Sequence, residues 1–216
     1  FNKIENQSSS DWLKKEIQGL KDIENLEVKT RTSVAAYHGY NYLLARENLT
    51  DHLEKKDKQG KIRQRLLKIR AKKVVLATGA LERPLIFNNN DRPGIMLSSA
   101  VKKYADFYGV ICGQKTVFFT NNDSAYESAF CLHNKGIKVE AIIDIRDNSN
   151  SKIVKAVEDA GIKIHWSHTV VDTSGYKRLK NISVMKLSND GMSVTGNKVE
   201  ISCDCLGVSG GWTPAV

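Results

Sequence analysis

Lys73-Val74-Val75-Leu76-Ala77-Thr78-Gly79-Ala80 is an apolar run closed by small residues, and it reads as a buried strand ending in a tight turn. Further along, Thr116-Val117-Phe118-Phe119-Thr120-Asn121-Asn122-Asp123-Ser124-Ala125-Tyr126-Glu127 reads as a strand, a turn and the start of a helix. A nucleotide-binding turn at this second place is written G-x-G-x-x-G/A. Its first glycine makes the turn, and its second lets pyrophosphate reach the helix N-terminus. Here Thr120 and Asn122 stand at the two glycine positions, and only Ala125 fits. Asparagine tolerates left-handed backbone angles, so the turn survives while its side chain lies where phosphate belongs. The expectation is a dinucleotide-type lobe that binds dinucleotide weakly or not at all.

The surrounding chain gives the architecture. Residues 95–108 read as a helix ended by Gly109, and residues 115–119 as a strand. A helix over 124–135 stops at Gly136, a strand follows over 137–143, a helix over 151–160 stops at Gly161, and a strand covers 162–166. Alternation of this kind with short connections predicts a parallel sheet with right-handed crossovers. Two further strands, 179–187 and 192–202, flank the hairpin turn Asn189-Asp190-Gly191, and 205–209 forms one more. Upstream, Ser10-Asp11 caps a helix whose Trp12, Leu13, Ile17 and Leu20 share a face and read as core. The alternating stretches 27–37, 40–47 and 61–70 read as a β-meander, with a charged loop over 55–60. The fold class expected is α/β. Residues 1–80 belong to an incomplete FAD/NAD(P)-binding, Rossmann-like domain with an antiparallel β-meander. Residues 81–203 form an inserted second Rossmann-like domain of pyridine-nucleotide type with a parallel sheet. Residues 204–216 are a strand returning to the first domain.

The composition excludes several classes. Of the 216 residues 41% are hydrophobic and 26% charged, as in an ordinary globular chain, and three prolines argue against long disordered linkers. No run of about eighteen apolar residues and no cationic start followed by an apolar stretch is visible, so neither a signal peptide nor a membrane association is expected. The formal charge is +9, and much of it lies in residues 55–73, a stretch without a single aromatic residue. A nucleic-acid reader would interleave stacking aromatics there, so this alternating stretch reads as the solvated face of a hairpin, with an acidic partner subunit as the alternative. The chain opens on Phe1 and closes on Pro214-Ala215-Val216 just after a strand-like run, and it reads as part of a longer polypeptide.

Cys112, Cys131, Cys203 and Cys205 contain no C-x-x-C pair, and the reading is reduced, mostly buried thiols in a cytoplasmic protein. Cys203-x-Cys205 falls in a strand with both side chains on one face, and two further ligands for a metal are lacking. His38, His52, His133, His165 and His168 are scattered. On strand-like sequence His165 and His168 point to opposite sides, so no metal pair is expected. No G-x-S-x-G elbow or Ser/His/Asp set is visible, and no catalytic or metal residue is assigned.

Ala77-Thr78-Gly79-Ala80 followed by Glu82-Arg83-Pro84 resembles the A-T-G turn of glutathione-reductase-like flavoproteins with two dinucleotide-binding domains. The full run Val75-Leu76-Ala77-Thr78-Gly79-Ala80-Leu81-Glu82-Arg83-Pro84 is similar to that of alpha subunits of heterotetrameric sarcosine oxidases. So are Tyr40-Asn41-Tyr42-Leu43-Leu44, Asn90-Asp91-Arg92-Pro93-Gly94-Ile95-Met96-Leu97, Thr120-Asn121-Asn122-Asp123 and Ser209-Gly210-Gly211-Trp212-Thr213-Pro214. Alpha subunits of related amine and proline dehydrogenase complexes look alike.

The resemblance implies a complex with beta, gamma and delta subunits that oxidatively demethylates sarcosine to glycine. The methyl carbon passes to tetrahydrofolate and the electrons to oxygen, giving H2O2. It implies FAD in the beta subunit as the amine-oxidation site and FMN at the alpha–beta interface. It also implies NAD in the alpha subunit, on an intact glycine-rich turn upstream of Phe1. This chain would then support NAD binding and assembly. Ala77, Thr78, Gly79 and Ala80 would supply a second wall, because a small residue and a glycine let backbone approach the cofactor and the threonine hydroxyl can meet a ribose. A strand merely turning into a crossover is the alternative reading of the same four residues. Gly210 and Gly211 would allow close approach again, and Val34 would lay its backbone against adenine. Asp144 closes the strand after the Thr120 turn, the usual place for a ribose-holding carboxylate, with Arg146 nearby; a simple loop cap remains equally open. Two readings from other classes stay open, an autonomous NAD(P)H-dependent flavoprotein reductase and an assembly module without ligand.

Overall fold

The computed structural model describes residues 3–215. The chain divides between residues 76 and 77 into two compact units.

In the first unit, β1 (Lys3–Ile4) and β2 (Gln7–Ser8) form a minimal hairpin. The Ser8 hydroxyl then accepts the amide of Asp11 at 3.1 Å and caps α1 (Ser9–Leu20), satisfying an amide left free at a helix start. The apolar face of α1 is not core: Leu13, Ile17 and Leu20 are exposed and no residue of the helix is buried. The expected packing fails because no described element covers that face. β3 (Thr32–His38), β4 (Tyr42–Asn48) and β5 (Gln64–Arg70) make the expected antiparallel meander in that order. Tyr40 and Asn41, at φ 59° and 52°, turn β3 into β4. The expected charged loop contains one helical turn, α2 (Lys55–Lys58). The basic stretch is solvated or paired: Arg63 meets Asp51 at 2.6 Å and Arg65 meets Glu47 at 3.6 Å.

The run 73–77 is not the buried strand its composition suggests. Residues 71–79 carry no regular structure, Val75 is 89% exposed and Leu76 46%. A fully apolar strand is stable only with neighbours on both sides, and no described strand pairs with it.

The second unit begins with β6 (Ala80–Glu82), β7 (Ile95–Leu97) and α3 (Ser98–Phe107). The expected single helix over 95–108 thus splits into a strand and a helix. The α3 N-terminus is capped from a distance, the Glu82 carboxylate accepting from the Ser99 amide at 2.8 Å and its hydroxyl at 2.5 Å. The predicted alternation follows: β8 (Thr116–Thr120), α4 (Ser124–Asn134), β9 (Val139–Asp144), α5 (Lys152–Asp159) and β10 (Ile164–His165). Next come β11 (His168–Ser174), β12 (Asn181–Leu187), β13 (Val194–Ser202), β14 (Cys205–Ser209) and β15 (Trp212–Pro214).

A five-stranded parallel sheet runs β10-β9-β8-β14-β7. β14, within the stretch read as a returning strand, lies between β8 and β7, with all five residues buried. β15 lies outside that sheet and pairs antiparallel with β6. β11, which the sequence leaves unassigned, joins the β12–β13 hairpin in a three-stranded antiparallel sheet. One face of the parallel sheet packs Phe118, Ile142 and Cys205 against Val101, Ala129, Leu132, Val154 and Val157 of the helices. The other packs Val117, Phe119, Ile143, Leu206 and Val208 against Val170, Ile182 and Val184 of the antiparallel sheet. This gives an α/β/β sandwich. Among the described residues no helix is long and apolar enough to cross a membrane.

Candidate functional site

The β6–β15 ladder and its continuation bring together five of the eight candidate cofactor residues, Thr78, Gly79, Ala80, Gly210 and Gly211, while Ala77 lies just before it. Ala80 pairs with Pro214 and Leu81 with Thr213. The ladder continues at both ends: the Ala215 amide donates to Gly79 O at 3.0 Å, the Arg83 amide to Gly211 O at 2.8 Å, and the Gly210 amide to Arg83 O at 2.6 Å. The Thr78 hydroxyl donates to the Ala215 carbonyl, which leaves its oxygen as an acceptor only. Ala77, Thr78, Gly79 and Ala80 are all exposed. Gly79 and Gly211 adopt φ of +79° and +97°, where side chains are strained, and no atom lies within 4 Å of where a Cβ would stand on either. Gly210 instead packs against the carbonyls of Pro84 and Arg83, 3.0 and 3.1 Å from its would-be Cβ. The result is a strip of open backbone with glycine at two points.

The Thr120–Ser124 turn is built differently. In an open parallel sheet, ligands bind beyond the carboxyl ends of the strands where the strand order reverses, here between β8 and β14. Asn122 bridges that crevice. Its Nδ2 donates to Ser209 O at 3.3 Å and Ser209 Oγ at 3.1 Å. Its Oδ1 accepts from the Ser124 amide at 3.0 Å and the Ser124 hydroxyl at 2.5 Å. The first amide of α4, the group a bound phosphate would use, is thus taken by the protein's own carboxamide. Asn121 Nδ2 reaches Gly210 O at 3.5 Å, and Trp212 Nε1 donates to Ser124 Oγ at 3.1 Å.

Asp144 ends β9 with no exposed surface, and its oxygens are fully engaged. It accepts from the Tyr126 hydroxyl at 2.8 Å, from the Arg146 amide at 2.9 Å and from Arg146 Nη2 at 2.8 Å. Arg146 Nη1 also meets Asp123 at 2.8 Å. Burial, with the Asp144 carboxylate beside it, pushes the Tyr126 hydroxyl far above the usual phenol range. Burial opposes the charge on Arg146, but hydrogen bonds to Asp144 and Asp123 hold its guanidinium more firmly protonated than usual. Burial likewise opposes ionisation of Asp123, but Ser151 and Arg146 bring its carboxyl below the ordinary carboxylate range. Trp166 stacks on Tyr126 at 6.1 Å between centroids. The sequence reading passes over Tyr126, Trp166 and Trp212.

Val34 lies on β3 of the other unit, 58% exposed. Cys203 and Cys205 do not share a face: a break at Asp204 sends Cys203 into the core under the antiparallel sheet and Cys205 into the core under the helices. Burial pushes both thiols up to about 12. His165 and His168 do not point apart either. Ser167, at φ +54°, breaks the strand and brings their rings to 5.5 Å. Among the described residues no group of three His, Cys, Asp or Glu side chains is placed to hold a metal.

No family model matches the chain. It is 38% identical over 215 residues to the sarcosine oxidase subunit alpha of Corynebacterium sp. (strain P-1), a match covering 99% of this chain and 22% of that protein. It is 31% identical over 216 residues to the sarcosine oxidase subunit alpha of Rhizobium meliloti (strain 1021), covering 99% of this chain and 20% of that one. The chain therefore spans about a fifth of the length of these relatives. Among solved structures, L-proline dehydrogenase from P. horikoshii aligns with a TM-score of 0.53 at 20% identity, over 99% of this chain and 33% of that one. Thioredoxin reductase from T. acidophilum aligns with a TM-score of 0.52 at 16% identity, over 70% of this chain and 49% of that one. These two likenesses concern the fold.

Proposed function

We propose that this chain, homologous along 99% of its length to one segment of sarcosine oxidase alpha subunits, is the part of an oxidoreductase subunit that presents a backbone wall to NAD. The observation that carries this is the open strip that runs between Gly79 and Gly211, one at each end of the β6–β15 ladder and each with nothing within 4 Å of its Cβ position. Such a strip fits a flat, extended cofactor pressed against main chain. Thr78, Gly79, Ala80, Gly210 and Gly211 would hold it by backbone contact, with the Thr78 oxygen as acceptor for a ribose hydroxyl. When bound, NAD would bring pyridine-nucleotide redox chemistry. The protein's own residues here contribute shape and hydrogen bonding.

The strip belongs, in this reading, with a first dinucleotide domain of which residues 1–80 are part. Val34 is a contact proposed on the resemblance alone. The whole complex would oxidise sarcosine to glycine with tetrahydrofolate and oxygen. It would carry FAD and FMN on other parts of the assembly, with beta, gamma and delta subunits as partners, in the cytoplasm. No residue of this chain is assigned to the amine oxidation. The test is Gly79→Val in the full-length protein. An added side chain on the open strip is expected to lower NAD affinity at least about tenfold, roughly 1.4 kcal/mol, and the strain of a branched side chain at φ +79° is expected to lower the thermal midpoint as well. Unchanged NAD affinity in the folded variant contradicts the assignment.

A further inference from the structure

We propose that the phosphate seat of the second unit has been converted into an anchor. Asn122 fills it and holds Ser209 to Trp212 in the position that sets out the Gly210–Gly211 strip, and the crevice takes no dinucleotide. Three observations converge on this. The carboxamide oxygen of Asn122 occupies the α4 amide that a pyrophosphate would need. Its nitrogen crosses to β14 and binds both the carbonyl and the hydroxyl of Ser209. The neighbouring groups repeat the pattern, Asn121 reaching the Gly210 carbonyl and the Trp212 indole reaching Ser124. The ribose end is closed independently: Asp144 has no exposed surface and gives its oxygens to Tyr126 and Arg146.

The geometry divides the two halves of the Asn122 carboxamide by task. Oδ1 serves the α4 terminus, and Nδ2 serves β14 and the strip beyond it. Asn122→Asp keeps the first and sets a carboxylate oxygen against the Ser209 carbonyl, leaving at most the Ser209 hydroxyl as a partner on β14, whereas Asn122→Gly loses both. The closed crevice stands whatever the identity of the complex. The positioning of the strip for NAD rests on the function proposed above.

The experiment uses the full-length protein and amide hydrogen exchange without NAD, then with ADP-ribose as probe. In Asn122→Asp the Ser124 amide is expected to stay protected while the Arg83 and Gly210 amides exchange faster. In Asn122→Gly all three exchange faster. Unchanged Arg83 and Gly210 exchange in a folded Asn122→Asp variant overturns the anchor, independently of where NAD binds. In the wild type, ADP-ribose is expected to leave Ser124 and Arg146 exchange unchanged. Protection there overturns the closed crevice. The variant Asn122→Gly with Tyr126→Phe is expected to gain protection at Ser124 and Arg146 on adding ADP-ribose. If that double variant does not fold, Asn122→Gly alone is read at Ser124. A folded variant with no gain shows that these side chains are not what excludes the ligand, and contradicts the proposal.

Discussion

A single carboxylate decides much of the character of the second unit. Asp144 sits where a ribose would be gripped, yet it is buried and fully hydrogen-bonded within the chain. A buried carboxylate tolerates loss of its cation badly, because the charge left behind is neither hydrated nor paired. Arg146→Ala is therefore expected to destabilise the protein by about 3 kcal/mol, read as a shift in the denaturant midpoint with little change in slope. Tyr126→Phe, which removes one neutral donor, is expected to cost only about 1 kcal/mol. A cost for Arg146→Ala no larger than that of Tyr126→Phe would mean that Asp144 is hydrated after all. Asp144 was visible in the sequence by its spacing from the turn. Its partners were not, because an aromatic at residue 126 and a guanidinium two residues after the strand acquire meaning only once α4 and β9 lie side by side.

At the scale of elements, the sequence was most legible where periodicity and stop signals agreed. α4 and α5 end at Gly136 and Gly161, both at positive φ, and the strands between them follow directly. The Asn189-Asp190-Gly191 turn joins β12 to β13 as expected, with the Gly191 amide donating to Ser188 O at 2.9 Å. The reading failed where the deciding partner is remote. Ile95-Met96-Leu97 suits the start of a helix or a strand, and the cap that separates β7 from α3 comes from Glu82, far back in the chain. Cys203 and Cys205 part company because Asp204 turns away to accept the amides of Gln114 and Lys115 at 3.0 and 2.8 Å. Residues 73–77 have the composition of a central strand and no ladder to join. Packing of β14 makes its own prediction. A Cβ on Gly207 would stand 2.6 Å from two ring atoms of Phe118. Gly207→Ala is expected to cost about 2 kcal/mol by overpacking, and Phe118→Leu in the same chain is expected to recover part of it. Additive costs for the two changes would contradict this contact.

For the whole molecule, the α/β class follows from pattern, whereas the use of each part follows from side chains that the pattern does not contain. Electrostatics give the second unit a definite pH response. Asp123 and Asp204 are both partly buried, which opposes ionisation, but their hydrogen bonds hold both carboxyls below the ordinary carboxylate range. Groups whose folded values are depressed lend their full stability above the unfolded carboxylate value and lose it as pH falls through the folded one. Burial holds the His165 imidazole below the ordinary histidine range, so the thermal midpoint is expected to fall first as pH drops through that range and again below the ordinary carboxylate range, with Asp204→Asn flattening the second fall. The account as a whole turns on where NAD meets this chain. Hydrogen exchange of the full-length protein with and without NAD tests it directly. The account predicts slowed exchange at the amides of Arg83, Gly210 and Ala215 with Ser124 and Arg146 unmoved; slowing at Ser124 and Arg146 with the β6–β15 ladder unmoved would contradict it.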